Sequence, residues 1–308
     1  MSVALFTHPD ALAHDTGPDH PECAARIQAV LRALETPEFS TLLRERAPLA
    51  DTACLHRAHT QRHIAHILSL PADEFTEIDA DTIVSPGSLP AALRGAGGAM
   101  AAVDAVMEGW AKAAFVAMRP PGHHAEADRA MGFCLFNNAA IAAHHARARH
   151  GLTRIAVLDF DVHHGNGTQD IFYNDAGLFY GSSHQSPCYP GTGATHERGI
   201  AGNIVNAPLP PGADGTAFRA AWADIIIPAL DVFAPELLIL SAGFDAHAAD
   251  PLAQLRLQEA DFTWITEALL AIADTHCPGR VVSLLEGGYN LNALASAAAA
   301  HVRALMRL

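Results

Sequence analysis

Four short apolar runs stand out along the chain: AAFVAM (113–118), RIAVLDF (154–160), LLILSAG (237–243) and VVSLLEGG (281–288). They lack the strict alternation of a half-exposed strand, and their length suits strands buried on both faces, as in a parallel sheet. Between them, apolar residues recur at helical spacing. GFCLFNNAAIAAHHARARHG predicts a helix starting past Gly132 and ending at Gly151, a glycine stop. FRAAWADIIIPALDVF (218–233) and DFTWITEALLAIADTH (261–276) carry the same period, and the tail ALASAAAAHVRALM is built of good helix formers. Strand and helix in alternation predict an α/β fold with a mostly parallel sheet.

Each strand runs into ionisable groups. AAFVAM leads to RPPGHHA, RIAVL to DFDVHHGNG, LLILSAG to FDAH and VVSLL to EGGYN. In open α/β sheets, ligands bind at the carboxyl ends of the strands. Four segments far apart in sequence are thus expected to deliver polar groups to one rim.

Composition narrows the class. With 308 residues, half of them hydrophobic, and no repeat or low-complexity linker, one large domain over 1–308 is the simpler expectation. No apolar run reaches the roughly 18 to 20 residues a membrane helix needs. The start, MSVALFTHPD, has no basic region of a secretory signal, so a cytoplasmic protein without membrane association is expected. The formal charge is −14, from 33 acidic and 19 basic residues, and Lys112 is the one lysine. This argues against direct binding of nucleic acid. The five cysteines lack CxxC spacing and read as reduced thiols.

Within DFDVHHGNG, Asp159, Asp161 and His163 face one way if extended. Buried carboxylates need a compensating charge, and a divalent cation supplies one. Asp161 and His163 are the expected ligands, with Asp245 from the next strand end as the third; Asp159 is better used to orient a histidine. Three ligands plus water suit catalytic zinc, and the same donors suit iron(II) or cobalt. The place of His164 stays open. His123 and His124, on an irregular segment after Arg119-Pro-Pro-Gly, suit proton transfer. Tyr289, after two glycines, presents a phenol suited to a developing oxyanion. Two further histidine groups read as structural: the helical HHARARH (144–150), and His59, His63 and His66, which lack a supporting carboxylate.

HPECAARI, RPPGHHA, GFCLFNN, DFDVHHGNGTQDIFY, SSHQSPCYPGTG, SAGFDAH with DPL, and LEGGYN occur in this order. Together they resemble the histone deacetylase family, most closely its class II branch and bacterial deacetylase-like members, over about residues 15–300. The resemblance implies a three-layer α/β/α, arginase-like fold around an eight-stranded parallel sheet, and zinc-dependent removal of acyl groups from amines. It implies zinc at Asp161, His163 and Asp245. It also implies catalysis by His123, His124 and Tyr289, with Asp159 partnering the first histidine. Asn166 partners the second where class I members carry aspartate. Potassium is implied beside Asp159, Asp161, His163, Ser182 and Ser183. Phe133 and Tyr189 match the walls of an acyl-lysine channel, Gly132 adjoins it, and Gly287 matches the glycine that admits the substrate amide. In the implied mechanism the acyl carbonyl meets zinc and Tyr289, and a water deprotonated mainly by His124 attacks it. Members devoted to acetylpolyamines place glutamate where this chain has Leu252, which favours acyl-lysine, although the IDAD loop (78–81) offers acid instead. Three rivals remain: a two-manganese ureohydrolase, an acetylpolyamine hydrolase and an inactive acyl-amine binding module. A homo-oligomer is neither required nor excluded by the sequence.

Overall fold

The four apolar runs close into the centre of one sheet. In the computed structural model, which describes residues 1–71 and 73–308, the strands are β1 (Val3–Thr7), β2 (Leu43–Arg46), β3 (Thr76–Glu77), β4 (Ile83–Val84), β5 (Ala113–Val116), β6 (Ile155–Asp159), β7 (Leu178–Gln185), β8 (Ile204–Leu209), β9 (Leu237–Ala242) and β10 (Val281–Leu285). Eight of them form a sheet in the order β2-β1-β5-β10-β9-β6-β7-β8. Every pairing in it is parallel. β3 and β4 make a separate antiparallel ribbon. Helices Ser88–Met107 and Asn138–His150 pack together against β1, β5, β6, β9 and β10. Glu259–His276, Leu291–Met306 and Ala24–Ala33 pack in sequence beside the sheet as a further layer. The result is a three-layer α/β/α fold. No helix among the described residues is long and apolar enough to cross a membrane, and the five cysteines are unpaired.

Strands β5, β10, β9 and β6 lie side by side, and these are the four whose sequences run into ionisable groups. All four are buried along their whole length. Parallel direction sends all four carboxyl ends to the same edge, which is why segments so distant in sequence meet.

Two local outcomes differ from the periodicity. The expected helix past Gly132 begins only at Asn138, where the Asn137 side chain accepts from Ala140 N at 2.9 Å; its end at Gly151, with φ +70°, is as the sequence indicates. Residues 132–136 are held open by His59 and His63, whose rings lie 5.6 and 5.8 Å from Phe136. His59 Nε2 accepts from Asn137 N at 2.8 Å and His63 Nε2 donates to Leu135 O at 2.9 Å. Both histidines are buried and His66 is exposed, so this group packs rather than ligates. The second difference is a π-helical stretch, Trp222–Ile226, inside the helical 218–233 segment.

Buried neutral histidines make the fold acid-sensitive. His301 is enclosed among Phe115, Phe160 and Phe244. Thr266 gives its proton to Phe262 O, so it accepts from His301 Nδ1 at 2.7 Å, and Ser283 Oγ donates to Nε2 at 2.8 Å. Burial lowers His301 to about 3, and burial with the nearby His63 lowers His59 to about 3. Below pH ~6.5 the unfolded chain therefore binds protons that the folded chain refuses, and stability falls with pH by up to about 1.4 kcal/mol per unit for each histidine. Urea unfolding of the wild type between pH 7 and pH 5 is expected to show this loss, and His301→Gln a shallower one. Parallel curves would remove His301 from the account.

Candidate active site and metal centre

The short segment after β6 reverses so tightly that it uses its own carboxylates as caps. Asp159 Oδ1 accepts from Asp161 N at 3.1 Å, and Asp161 Oδ1 from His163 N at 2.9 Å. Asp245, after β9, reaches across to accept from Val162 N at 2.9 Å. These bonds place Asp161, His163 and Asp245 so that one donor atom of each lies within 4.8 Å of the others. His163 Nδ1 sits 3.1 Å from Asp161 Oδ1 and 3.1 Å from Asp245 Oδ2. All three residues are buried.

Two buried carboxylates around one imidazole carry more negative charge than the imidazole can offset. Burial and the Asp161 charge push Asp245 up to about 7. Burial also opposes the charge on Asp161, but His123 and His163 hold it well below the usual carboxylate range. His163 is raised well above its usual value because Asp161 and Asp245 outweigh burial. The donor set of two oxygens and one nitrogen, with this excess of negative charge, fits a divalent cation. The backbone makes room for it: a Cβ on Gly287 would lie 2.1 Å from Asp245 Oδ2 and 2.6 Å from Asp161 Oδ2. Gly287 N instead donates to Asp161 Oδ2 at 2.8 Å. Gly287 thus lies against the carboxylates of Asp161 and Asp245.

His123 and His124 lie beside this centre with ring centroids 4.0 Å apart. Their partners differ. His123 Nδ1 is 2.9 Å from Asp159 Oδ2, which also accepts from Tyr180 Oη at 3.0 Å. His124 Nδ1 donates to Asn166 Oδ1 at 2.8 Å, and Asn166 Nδ2 donates to Glu126 at 2.7 Å. Burial disfavours charge on both rings. At His123 the carboxylates of Asp159, Asp161 and Glu286 override it and raise the group to about 10. At His124 no carboxylate is paired with the ring, and burial, His123 and His163 hold it well below its usual value. One ring holds its proton and its neighbour is free to take one.

The cleft above has a volume of about 220 Å³ and is lined by Asp81, His124, Gly132, Phe133, His163, Tyr189, Leu252 and Tyr289. Phe133 and Tyr289 meet edge to face at 5.8 Å. The phenol of Tyr289 is held protonated by burial, which Arg26 only partly offsets. Arg26 lies over that ring at 4.8 Å from the centroid and donates to Gly288 O at 2.6 Å and Glu286 O at 2.5 Å. Asp250 accepts from Tyr289 N at 2.7 Å, and Asn290 then caps the helix Leu291–Met306. Gly132 takes φ +56°, and a Cβ there would come within 2.5 Å of His124 Cδ2. Gly132→Ala is therefore expected to lower kcat about 10²-fold through displacement of His124 with metal content unchanged. Unchanged kcat, or lost metal, would show that Gly132 acts otherwise.

Ser182 pairs with Asp159 across β6 and β7, and Ser183 Oγ accepts from Trp222 Nε1 at 2.8 Å. His164, left open by the sequence, faces Thr192 and Gln169 at 2.7 and 3.0 Å and packs on His184, away from the cleft-lining residues. Supporting groups beyond the sequence reading are now visible. Glu286 accepts from Gly122 N at 2.7 Å, from His123 N at 3.2 Å and from Ser241 Oγ at 3.0 Å. Glu22 receives Arg119 at 2.7 and 2.6 Å and Arg26 at 2.9 Å. The positions of Glu286 inside LEGGYN and of Glu22 inside HPECAARI were available signals; their hydrogen-bond partners were not.

The fold and this constellation define a class, and comparison with known proteins agrees. The histone deacetylase domain model matches residues 20–305. A histone deacetylase-like amidohydrolase of Pseudomonas aeruginosa is 40% identical, over 94% of this chain and 76% of that protein. A protein of Arabidopsis thaliana named histone deacetylase 14, chloroplastic, is 39% identical, over 98% and 76%. The crystal structure of the HDA15 HD domain matches with TM-score 0.94 and 33% identity, over 99% of this chain and 88% of that one. This chain belongs to the histone deacetylase family.

Proposed function

We propose that the protein is a zinc-dependent amidohydrolase that removes acetyl or related acyl groups from acyl-lysine. The observation that carries this reading is the differentiated pair, His123 against the Asp159 carboxylate and His124 against the Asn166 amide, beside the Asp161–His163–Asp245 donor set at the floor of an aromatic-walled cleft. Zinc held by those three donors would supply a Lewis acid that polarises the acyl carbonyl and lowers the pKa of water; iron(II) or cobalt suits the same donors. The protein's own groups do the rest. Phe133 and Tyr189 clasp the aliphatic chain. The Tyr289 hydroxyl donates to the acyl oxygen as negative charge develops there. His124 takes the proton of the attacking water, and a histidine of the pair protonates the leaving amine. A potassium ion beside Asp159, Asp161, His163, Ser182 and Ser183, a single catalytic domain and action in the cytoplasm belong to the same reading.

One observation favours a second substrate class. Leu252 offers no charge at the cleft mouth, but Asp81 lines it, held by His20 Nε2 on its carbonyl at 3.1 Å and by Thr82 Oγ1 on its carboxylate at 3.0 Å. A carboxylate there attracts the distal ammonium of an acetylpolyamine. Initial rates on acetyl-lysine peptide and on acetylputrescine separate the two. The acyl-lysine reading expects kcat/KM for the peptide to be higher, and expects Leu252→Glu to raise kcat/KM for acetylputrescine about tenfold, the effect of roughly 1.4 kcal/mol of charge attraction. Faster turnover of acetylputrescine by the wild type would reverse the assignment.

A further inference from the structure

The helix carrying HHARARH meets its neighbour in a second convergence of donors. Asp104 lies in the last turn of Ser88–Met107, and His145 and His150 lie in the last turns of Asn138–His150. Both imidazoles point Nε2 at one atom: Asp104 Oδ1 is 2.9 Å from His145 and 2.7 Å from His150. Their ring planes stand 81° apart, with centroids separated by 6.1 Å. Arg149 Nε reaches the same oxygen at 3.1 Å. Three nitrogens on one oxygen exceed its two lone-pair sites. The crowding resembles that at the catalytic centre, where one imidazole nitrogen faces two carboxylate oxygens at 3.1 Å.

A cation between the three side chains relieves this crowding, because the two imidazoles then present lone pairs instead of N–H groups. The required tautomer of His145 displaces no existing hydrogen bond at Nδ1, and its cost is one buried unpaired N–H. Its Nδ1 is buried and has no hydrogen-bond partner among the described residues, so the proton can reside there and leave Nε2 bare. Two imidazole nitrogens and a carboxylate oxygen suit a borderline divalent ion, with a fourth position for water. The side chains are 28%, 12% and 14% exposed for Asp104, His145 and His150, so an ion can enter. Arg149 is the competing cation. It is half exposed and already within 3.4 Å of Glu108, to which it can retreat.

The cluster is separate from the catalytic centre. Each of the two helices ends just before its strand begins, Ser88–Met107 before β5 and Asn138–His150 before β6. The donors therefore lie at the amino edge of the sheet, whereas Asp161 and its partners lie at the carboxyl edge. We propose that Asp104, His145 and His150 form a second metal site, one that takes a borderline divalent transition ion such as zinc and ties the two helix ends together.

The test is zinc titration of the chelator-stripped full chain, read by calorimetry and by thermal unfolding. The wild type is expected to bind two equivalents. His145→Asn and His150→Asn are each expected to bind one, to lose the rise in melting temperature produced by the second equivalent, and to keep wild-type turnover. Arg149→Ala, which retains all three ligands, is expected to bind the second ion severalfold more tightly, and it decides the matter if the histidine variants fail to fold. One equivalent in the wild type, two in both histidine variants, or no tightening in Arg149→Ala would overturn the site.

Discussion

Tyr289→Phe is expected to lower kcat on an acetyl-lysine peptide about 10²- to 10³-fold, the cost of one donor to a developing oxyanion. The substitution removes one oxygen. It leaves the ring between Phe133 and Arg26, the main-chain bond to Asp250 and the Asn290 cap, so the melting temperature and metal content are expected to stay at wild-type values. KM is expected to change little, because the hydroxyl serves the transition state more than the bound substrate. His124→Ala belongs with it, at about 10²- to 10⁴-fold, since no neighbouring group combines its position with its neutrality. Measured kcat values near wild type for either variant would remove that residue from the chemistry. A loss confined to KM would make Tyr289 a binding residue.

The larger effect is expected at the proposed metal ligands. Asp245→Asn should lower activity about 10⁴-fold or more, by weakening retention of the proposed ion, which would supply both water activation and charge stabilisation. The amide oxygen can still accept from Val162 N, so the local backbone survives. A second consequence follows from charge. With Asp161 and Asp245 buried together, removing the ion leaves like charges facing each other, as the upward push on Asp245 shows. Chelation is therefore expected to lower the melting temperature of the wild type, and to lower that of Asp245→Asn less. Equal shifts in the two proteins would mean that Asp161 and Asp245 do not share the ion.

Much of this arrangement was legible in the sequence because buried parallel strands advertise themselves as apolar runs. β5, β6, β9 and β10 each fell within such a run, and their polar sequels named the chemistry. The edge strand β2 did not, since Leu43-Arg44-Glu45-Arg46 is exposed throughout and is held by main-chain pairing with β1 and by side-chain bonds from Arg44 to Leu34 O and from Arg46 to His8. β7 was also hidden, because its second half, Gly-Ser-Ser-His-Gln, is polar although buried beside the site. The segment 132–136 continues a helical composition, and contacts from His59 and His63, the Met131–Cys134 bridge and the bond from Phe133 N to Thr82 Oγ1 keep it irregular. Glu22 and Arg119 stand in HPECAARI and RPPGHHA, but their pairing joins residues 97 positions apart and leaves no local pattern. Local periodicity therefore revealed where the chemistry lies, while the groups that brace it through space required the fold.

The most direct test is acetate release from an acetyl-lysine peptide by the chelated wild-type protein, assayed before and after zinc is restored. The account predicts no turnover without metal, full recovery with zinc and no recovery in Asp245→Asn. Turnover that persists undiminished through complete removal of the metal would contradict it.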